Sequence, residues 1–300
     1  MSYHHPVLAG KCIEALSIKK DGIYVDATFG GGGHSRLILE ELGTNGRLYA
    51  FDQDDDALRN LPDDARLIFN HHNFRYLKQF LRLHGVRQVD GILADLGVSS
   101  HQLNEAGRGF SFRFEAALDM RMNRQQEKTA ADILNTYTAA DLQRVFGEYG
   151  EVRNSRTLAQ RIVEQRDVKP VRNTADFLLI AEPLIRGQRN RYLAQVFQAL
   201  RIEVNDEMGA LKEFLEASLD VLRPGGSLVV LSYHSVEDRI VKNILKSGNT
   251  EGVVKSDFFG KINRPFTLVY KGVVTPSQEE MEGNPRSRSA KLRAGIRNND

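Results

Sequence analysis

The chain has 300 residues, 41% hydrophobic and 27% charged, which is enough for a full core and too apolar for a disordered segment. Lysine and arginine number 41 against 39 acids, net +2, so a polybasic tether is excluded and any nucleic-acid face is local. The single cysteine, Cys12, excludes a disulfide framework and a cysteine-rich zinc module, and no apolar run approaches the roughly 20 residues of a membrane helix. The first residues lack a charged stretch leading into an apolar one, so no signal peptide is read there. A soluble, cytoplasmic protein with no membrane contact and no resident metal is expected.

From the N-terminal side, 23–27 reads as a strand, followed by a glycine run and a helix over 35–42. Strands at 47–52, 66–69 and 91–95 alternate with helices over 56–61 and 76–84. Such alternation implies crossovers onto a buried parallel sheet, an α/β fold. Between 107 and 205 no strand is read. Helices are predicted there over 129–137, 138–146, 155–165, 174–185 and 192–204, several opening on threonine or serine as capping prefers. A helix then runs from Met208 to Leu222, broken by Arg223-Pro224-Gly225-Gly226, and 227–232 reads as a buried strand. Ser235 with Asp238 resembles a capping box for a helix to Lys246; 266–270 is read as the last strand, and the tail from Thr275 as polar and basic. The domains expected are therefore 1–106 with 206–300, and a helical insertion over 107–205.

Five stretches carry chemistry. Asp26-Ala27-Thr28-Phe29-Gly30-Gly31-Gly32-Gly33-His34 places glycines at a strand-to-helix turn, where backbone can approach a ligand closely. The dinucleotide pattern G-x-G-x-x-G fails at its last glycine, and Asp26 suits an ammonium group better than a phosphate. Asp52, at the end of the second strand, is placed to accept from ribose hydroxyls, which argues for an adenosine without saying which. The run Asp52 to Asp56 is not a calcium loop, because Ala57 and Asp63 stand where that loop needs glycine and glutamate. Phe74, beyond the third strand, could flank an adenine ring or belong to the core. Asp95 ends the fourth strand at the edge where open α/β sheets bind ligands. Tyr233 and His234 follow the late strand onto the same edge. Amine methylases often continue an acid here with Pro-Pro-aromatic; Leu96-Gly97-Val98 does not, so Phe110, Phe112 and Tyr233 are considered for base stacking. Arginines gather in the insertion and in the acid-free stretch Arg286–Arg297 of the tail, with Arg286, Arg288 and Arg293 as phosphate contacts.

The stretches Asp26–Ser35, Asp95–Ser100, Arg108–Phe112, Leu118–Met122, Phe197–Ile202, His234–Lys242 and Asn284–Ser289 together resemble the bacterial 16S ribosomal RNA (cytosine-N4)-methyltransferases over nearly the whole chain. The resemblance implies a class I S-adenosylmethionine methyltransferase fold, Rossmann-like, with a helical insert that recognises RNA. It implies methylation of one cytosine near the ribosomal decoding centre, position 1402 in the usual numbering, with 16S rRNA in the small subunit as partner. It implies cofactor contacts at Gly32, Gly33, His34, Asp52, Phe74, Asp95 and Gln102, with His101 standing where relatives commonly carry proline.

For methylation of an exocyclic amine the donor supplies the activated carbon, and the protein positions, desolvates and accepts a proton. Asp95 is the first catalytic candidate, followed by Tyr233 and His234. Two rivals are a nicotinamide-dependent dehydrogenase and a non-catalytic RNA-binding assembly factor that retains the cofactor fold.

Overall fold

A computed structural model describes residues 6–99, 102, 103, 105–254, 256 and 264–299. Ser100 and His101, singled out above beside Gln102, lie outside the described residues. The chain divides into two compact units, Met1–Gly97 with Gly209–Asp300, and Val98–Met208. No helix of the described residues is long and apolar enough to cross a membrane.

The first unit holds a seven-stranded sheet. In chain order its strands are β1 (Ile23–Asp26), β2 (Arg47–Phe51), β3 (Leu67–Asn70), β4 (Val89–Asp95), β5 (Leu222–Ser232), β6 (Phe266–Leu268) and β7 (Lys291–Arg297). Their order in space is β3-β2-β1-β4-β5-β7-β6, all parallel except β7, which runs antiparallel to both β5 and β6. The order reverses between β1 and β4, so a ligand crevice is expected at the carboxyl ends of those strands. Helices α1 (Ala9–Leu16), α2 (Gly33–Glu41) and α3 (Leu77–Leu83) belong to this unit. Apolar residues of β1, β2, β4 and β5 share one core with Cys12, Ala15 and Leu16 of α1.

The second unit is helical: α4 (Ala130–Thr136), α5 (Ala139–Glu148), α6 (Ser155–Val168), α7 (Thr174–Ala181) and α8 (Arg189–Asn205). Its core includes Phe146, Phe177 and Phe197, whose rings stand 5.7–6.4 Å apart in successive pairs. Thr129 caps α4 in a full capping box with Asp132, and Thr138 caps α5 by accepting from the Asp141 amide. Each such cap contributes about 1 kcal/mol. A further helix, α9 (Glu207–Val221), follows α8, and the sheet unit is completed by α10 (Ser235–Ser247) and α11 (Gln278–Gly283).

Several expectations need correction. Helix α1 was not read from the sequence: Leu8 precedes it in a left-handed conformation with no side-chain cap, and Glu280 of α11 supplies the acceptor for the Leu8 amide at 2.7 Å. The strand at 266–270 is not the last, because the tail read as polar and basic holds α11 and β7, and β7 pairs with β5 over Lys291–Ile296. The cap of α10 is His234 rather than Ser235; its ring accepts from the Glu237 amide.

Candidate active site at the carboxyl edge of the sheet

Three carboxylates stand at the tips of β1, β2 and β4. Asp26 is buried, accepting from the Thr28 amide at 3.1 Å and from the Ser35 hydroxyl at 2.6 Å. Asp52 accepts from the Gly30 amide at 2.7 Å and from the Asp54 amide at 2.9 Å. Asp95 accepts from the Tyr233 hydroxyl at 2.7 Å, while its own amide donates to the Thr28 hydroxyl at 2.6 Å. Among the described residues no lysine or arginine pairs with any of the three. Only the His34 ring approaches, its Nδ1 3.7 Å from Asp95. Its Nε2 lies 3.1 Å from the Val7 carbonyl, an acceptor, so Nε2 carries the hydrogen.

The electrostatics follow from that shortage of cations. Burial raises all three carboxyls above their ordinary range, Asp52 to about 6 despite the two amides that favour its charge. For Asp95 the His34 ring and the Tyr233 hydrogen bond oppose the rise without cancelling it. Tyr233 in turn is pushed well above an ordinary phenol by burial and by Asp95, so it stays a donor.

The glycine run leaves room beside these acids. Gly30 has φ +52°, and a side chain at Gly30 or Gly31 would meet little or nothing within 4 Å. Asn60 donates to the Gly30 carbonyl at 3.1 Å, and Arg36 spans the Gly31 and Asn60 carbonyls at 2.9 Å each, fixing the loop from outside. Gly32, at φ +74°, precedes α2, where a Cβ would come within 2.9 Å of the Phe29 ring. Gly33 opens the helix and His34 follows it. Phe74 presents its ring edge-on to Phe214 at 5.1 Å; its neighbour Asn73 donates to Gln53 beside Asp52 at 2.9 Å.

The structure thus gathers Gly32, Gly33, His34, Asp52, Phe74, Asp95 and Tyr233 into one unit. Gln102 lies in the other, held to Ser99 by a side-chain acceptor at 2.9 Å and a backbone donor at 3.1 Å. His234 is occupied as a cap: its side chain is 9% exposed and its Nε2 lies 3.1 Å from Glu237. This accounts for His234 without a catalytic task. Phe110 is a core residue, 6% exposed with the Arg108 guanidinium 5.3 Å over its ring, and Phe112 packs edge-on against Phe197 at 5.7 Å. Phe110 is thus buried in the helical core, and Phe112, partly buried, packs against it. Arg293 sits in β7 in a bidentate pair with Asp238, 2.6 and 3.1 Å, so its charge is already matched. Arg288 is exposed; Arg286, in the preceding turn, is partly buried.

Sequence reasoning did not assign roles to Thr28, Ser35 or Asn60. Thr28 stands in the glycine motif and Ser35 directly after it, but the Thr28 partner is 67 positions away, and nothing in the local pattern signals it.

A family model described as MraW methylase family matches residues 1–297. Ribosomal RNA small subunit methyltransferase H of Parabacteroides distasonis is 57% identical over 293 residues, covering 97% of this chain and 96% of that one. The protein of the same name from Bacteroides thetaiotaomicron is 56% identical, covering 98% and 97%, and that from Cytophaga hutchinsonii 51% identical, covering 98% and 99%. Among solved structures, an rRNA methylase from Streptococcus thermophilus overlays with a TM-score of 0.41 at 13% identity, covering 97% of this chain and 94% of that one. TrmN from Thermus thermophilus gives 0.44 at 12%, covering 97% and 48%. Those scores add nothing to the fold, which rests on the strand order. With a matching family model over nearly every residue and relatives this similar end to end, the chain belongs to the MraW methylase family.

Proposed function

We infer that this chain transfers the methyl group of S-adenosylmethionine to the exocyclic N4 of a cytosine in small-subunit ribosomal RNA. The observation that carries the reading is the cluster Asp26, Asp52 and Asp95, short of cations and raised by burial. A ligand that brings an ammonium, a sulfonium and ribose hydroxyls relieves that cluster. A dinucleotide would bring two phosphates against it, which disfavours the dehydrogenase reading. The glycine loop leaves space beside these acids, so the residues present fit S-adenosylmethionine, with Asp52 taking the ribose and Phe74 flanking the adenine.

Bound there, S-adenosylmethionine supplies a methyl carbon activated for in-line displacement. Asp95 would accept from the N4 amine, localising the nitrogen lone pair; as the N–C bond formed and the methyl–sulfur bond broke, leaving a neutral thioether, one N–H proton would pass to the carboxylate and on to water. Tyr233 holds the receiving oxygen's partner and Thr28 anchors the Asp95 backbone. Gly32, Gly33 and His34 shape the loop around the donor. Cys12 is fully buried, and burial with nearby acids pushes its thiol well up, so a thiolate route to ring carbon 5 is not supported.

The helical unit is the RNA-recognition part of this reading, with the span 107–205 as its working limits. Arg153, Arg156, Arg172, Arg186 and Arg191 are exposed there and make no ion pair among the described residues. Arg166 differs, since it donates to the Leu134 and Tyr137 carbonyls within the unit. A ribosomal substrate places the protein in the cytoplasm. The intact acid cluster favours catalysis over a purely structural assembly factor. The test is mass mapping of small-subunit RNA from cells with and without the protein, combined with transfer of labelled methyl to purified subunits. Appearance of N4-methylcytosine at position 1402 only with the protein is expected; unchanged RNA would overturn the reading.

A further inference from the structure

We propose that Phe114, in a segment carrying exposed Arg113 and paired with the one carrying exposed Arg172, is a stacking platform for an unpaired RNA base other than the reacting cytosine. The proposal rests on the reading of RNA as substrate and assigns a residue of the helical unit to it. Phenylalanines recur at alternate positions, 110, 112 and 114, which in an extended strand would share one face. A turn over Phe112–Arg113 breaks that alternation. Phe110 and Phe112 enter the core, and Phe114 is left 43% exposed.

An exposed phenylalanine alone needs no explanation. This one sits on a backbone that is held in place, in segments that carry exposed arginines. Its carbonyl accepts from the Thr174 hydroxyl at 2.7 Å, the Ala116 amide donates to the same hydroxyl at 3.1 Å, and the Thr174 amide donates to the Ala116 carbonyl at 2.9 Å. Ala117 and Asn173 then form an antiparallel bridge, so the segment is clamped to the start of α7. Thr174 is 1% exposed, so the clamp is protected from water. Arg113 precedes Phe114 and Arg172 lies two residues before Thr174; both are exposed, and their side chains have no partner among the described residues, while Glu115 is the one exposed acid of the stretch. An exposed aromatic ring on a backbone clamped to α7, in segments that also carry two exposed arginines, suits a splayed base with its phosphates, and suits an apolar protein surface poorly. Stacking accepts any base, so the platform adds affinity without sequence choice.

Full-length wild type, Phe114→Ala, Phe114→Leu and Phe114→Tyr are compared for binding a short labelled single-stranded RNA and a duplex RNA by fluorescence anisotropy, with S-adenosylmethionine affinity by calorimetry as the folding control. Phe114→Ala and Phe114→Leu should weaken single-strand binding by about 5- to 150-fold, the range for loss of one stacked base, and Phe114→Tyr should keep it. Duplex and cofactor binding should be unchanged. Wild-type single-strand affinity in Phe114→Ala overturns the proposal. So does retained affinity in Phe114→Leu, which would mark a merely apolar contact, or an equal loss on duplex. If wild type binds neither RNA nor methylates subunits, the RNA reading itself fails; if it does both while indifferent to Phe114, only the platform fails.

Discussion

Asp52 at the end of β2 and Asp119 in the loop before α4 are both aspartates partly withdrawn from water, yet their carboxyls move in opposite directions. Burial lifts Asp52 to about 6, with only amides and other acids around it. Burial also acts on Asp119, but Arg121 grips it through two bonds of 2.8 Å and holds it below the usual carboxylate range. The loop around Asp119 is knitted throughout. Arg108 donates to the Arg121 and Met122 carbonyls, and Asn205 bridges the Met122 amide and the Met120 carbonyl, holding Met120 at φ +59°. Where polar groups satisfy each other, they build scaffold; where acids are left to face one another, a ligand is expected to complete them. The same residue type thus separates structural from functional regions by its partners.

The comparison breaks most visibly at Asp95. Asp95→Asn keeps the shape and removes the charge of the proposed proton acceptor, so single-turnover methylation at saturating cofactor should fall by about 10²-fold or more. Wild-type rate in a folded variant would move the acceptor elsewhere. Asp52→Ala should weaken S-adenosylmethionine by about 1.5–3 kcal/mol, seen by calorimetry. The pH dependence sharpens this. A donor to the ionised carboxylate competes with a proton, so cofactor affinity should fall as pH drops through about 6, by at most tenfold per unit, and level off above. The stability of the unliganded fold runs the other way. The folded value near 6 exceeds the ordinary 3.8, so the native state holds the extra proton and loses stability as pH rises between them. Asp52→Asn should remove that loss, as thermal melts at pH 5 and 7 would report.

On the scaffold side, Asn205→Ala removes the acceptor of the Met122 amide and the donor to the Met120 carbonyl, and should cost about 2–3 kcal/mol of stability in denaturant titration. Cofactor affinity should not change; a parallel drop would contradict the division of labour. A smaller effect belongs to Tyr233→Phe, about 2- to 10-fold in rate for one hydrogen bond. Without that donor the Asp95 carboxyl rises further, so the acid limb of the pH–rate profile should shift to higher pH, which a merely structural role would not produce. The smallest is in the tail. Exposed Arg288→Ala should flatten the salt slope of RNA binding by up to about 0.9, whereas Arg293→Ala, with its charge matched by Asp238, should act on stability instead.

Local pattern was sufficient for much of this molecule. Alternating apolar strands and periodic helices identified six of the seven strands and the helical insertion, because burial on a sheet or along a helix face imposes its period on the residues themselves. The glycine turn, Asp52 and Asp95 were legible for the same reason: each stands at a strand end, and strand ends are written in the local sequence. What only the tertiary structure decided depends on distant partners. Helix α1 has no side-chain cap of its own and takes its acceptor from Glu280, far along the chain. Strand β7 reads as a basic tail until Arg293 meets Asp238, which matches the charge the sequence shows as free. Phe110, Phe112 and Phe114 look equivalent in sequence, and a single turn separates two core rings from one exposed. The Asp95–Thr28 and Asp95–Tyr233 bonds join residues 67 and 138 positions apart. Hydrogen bonds and charge pairs act over a few ångströms in space whatever the distance along the chain, so residue order alone does not reveal them.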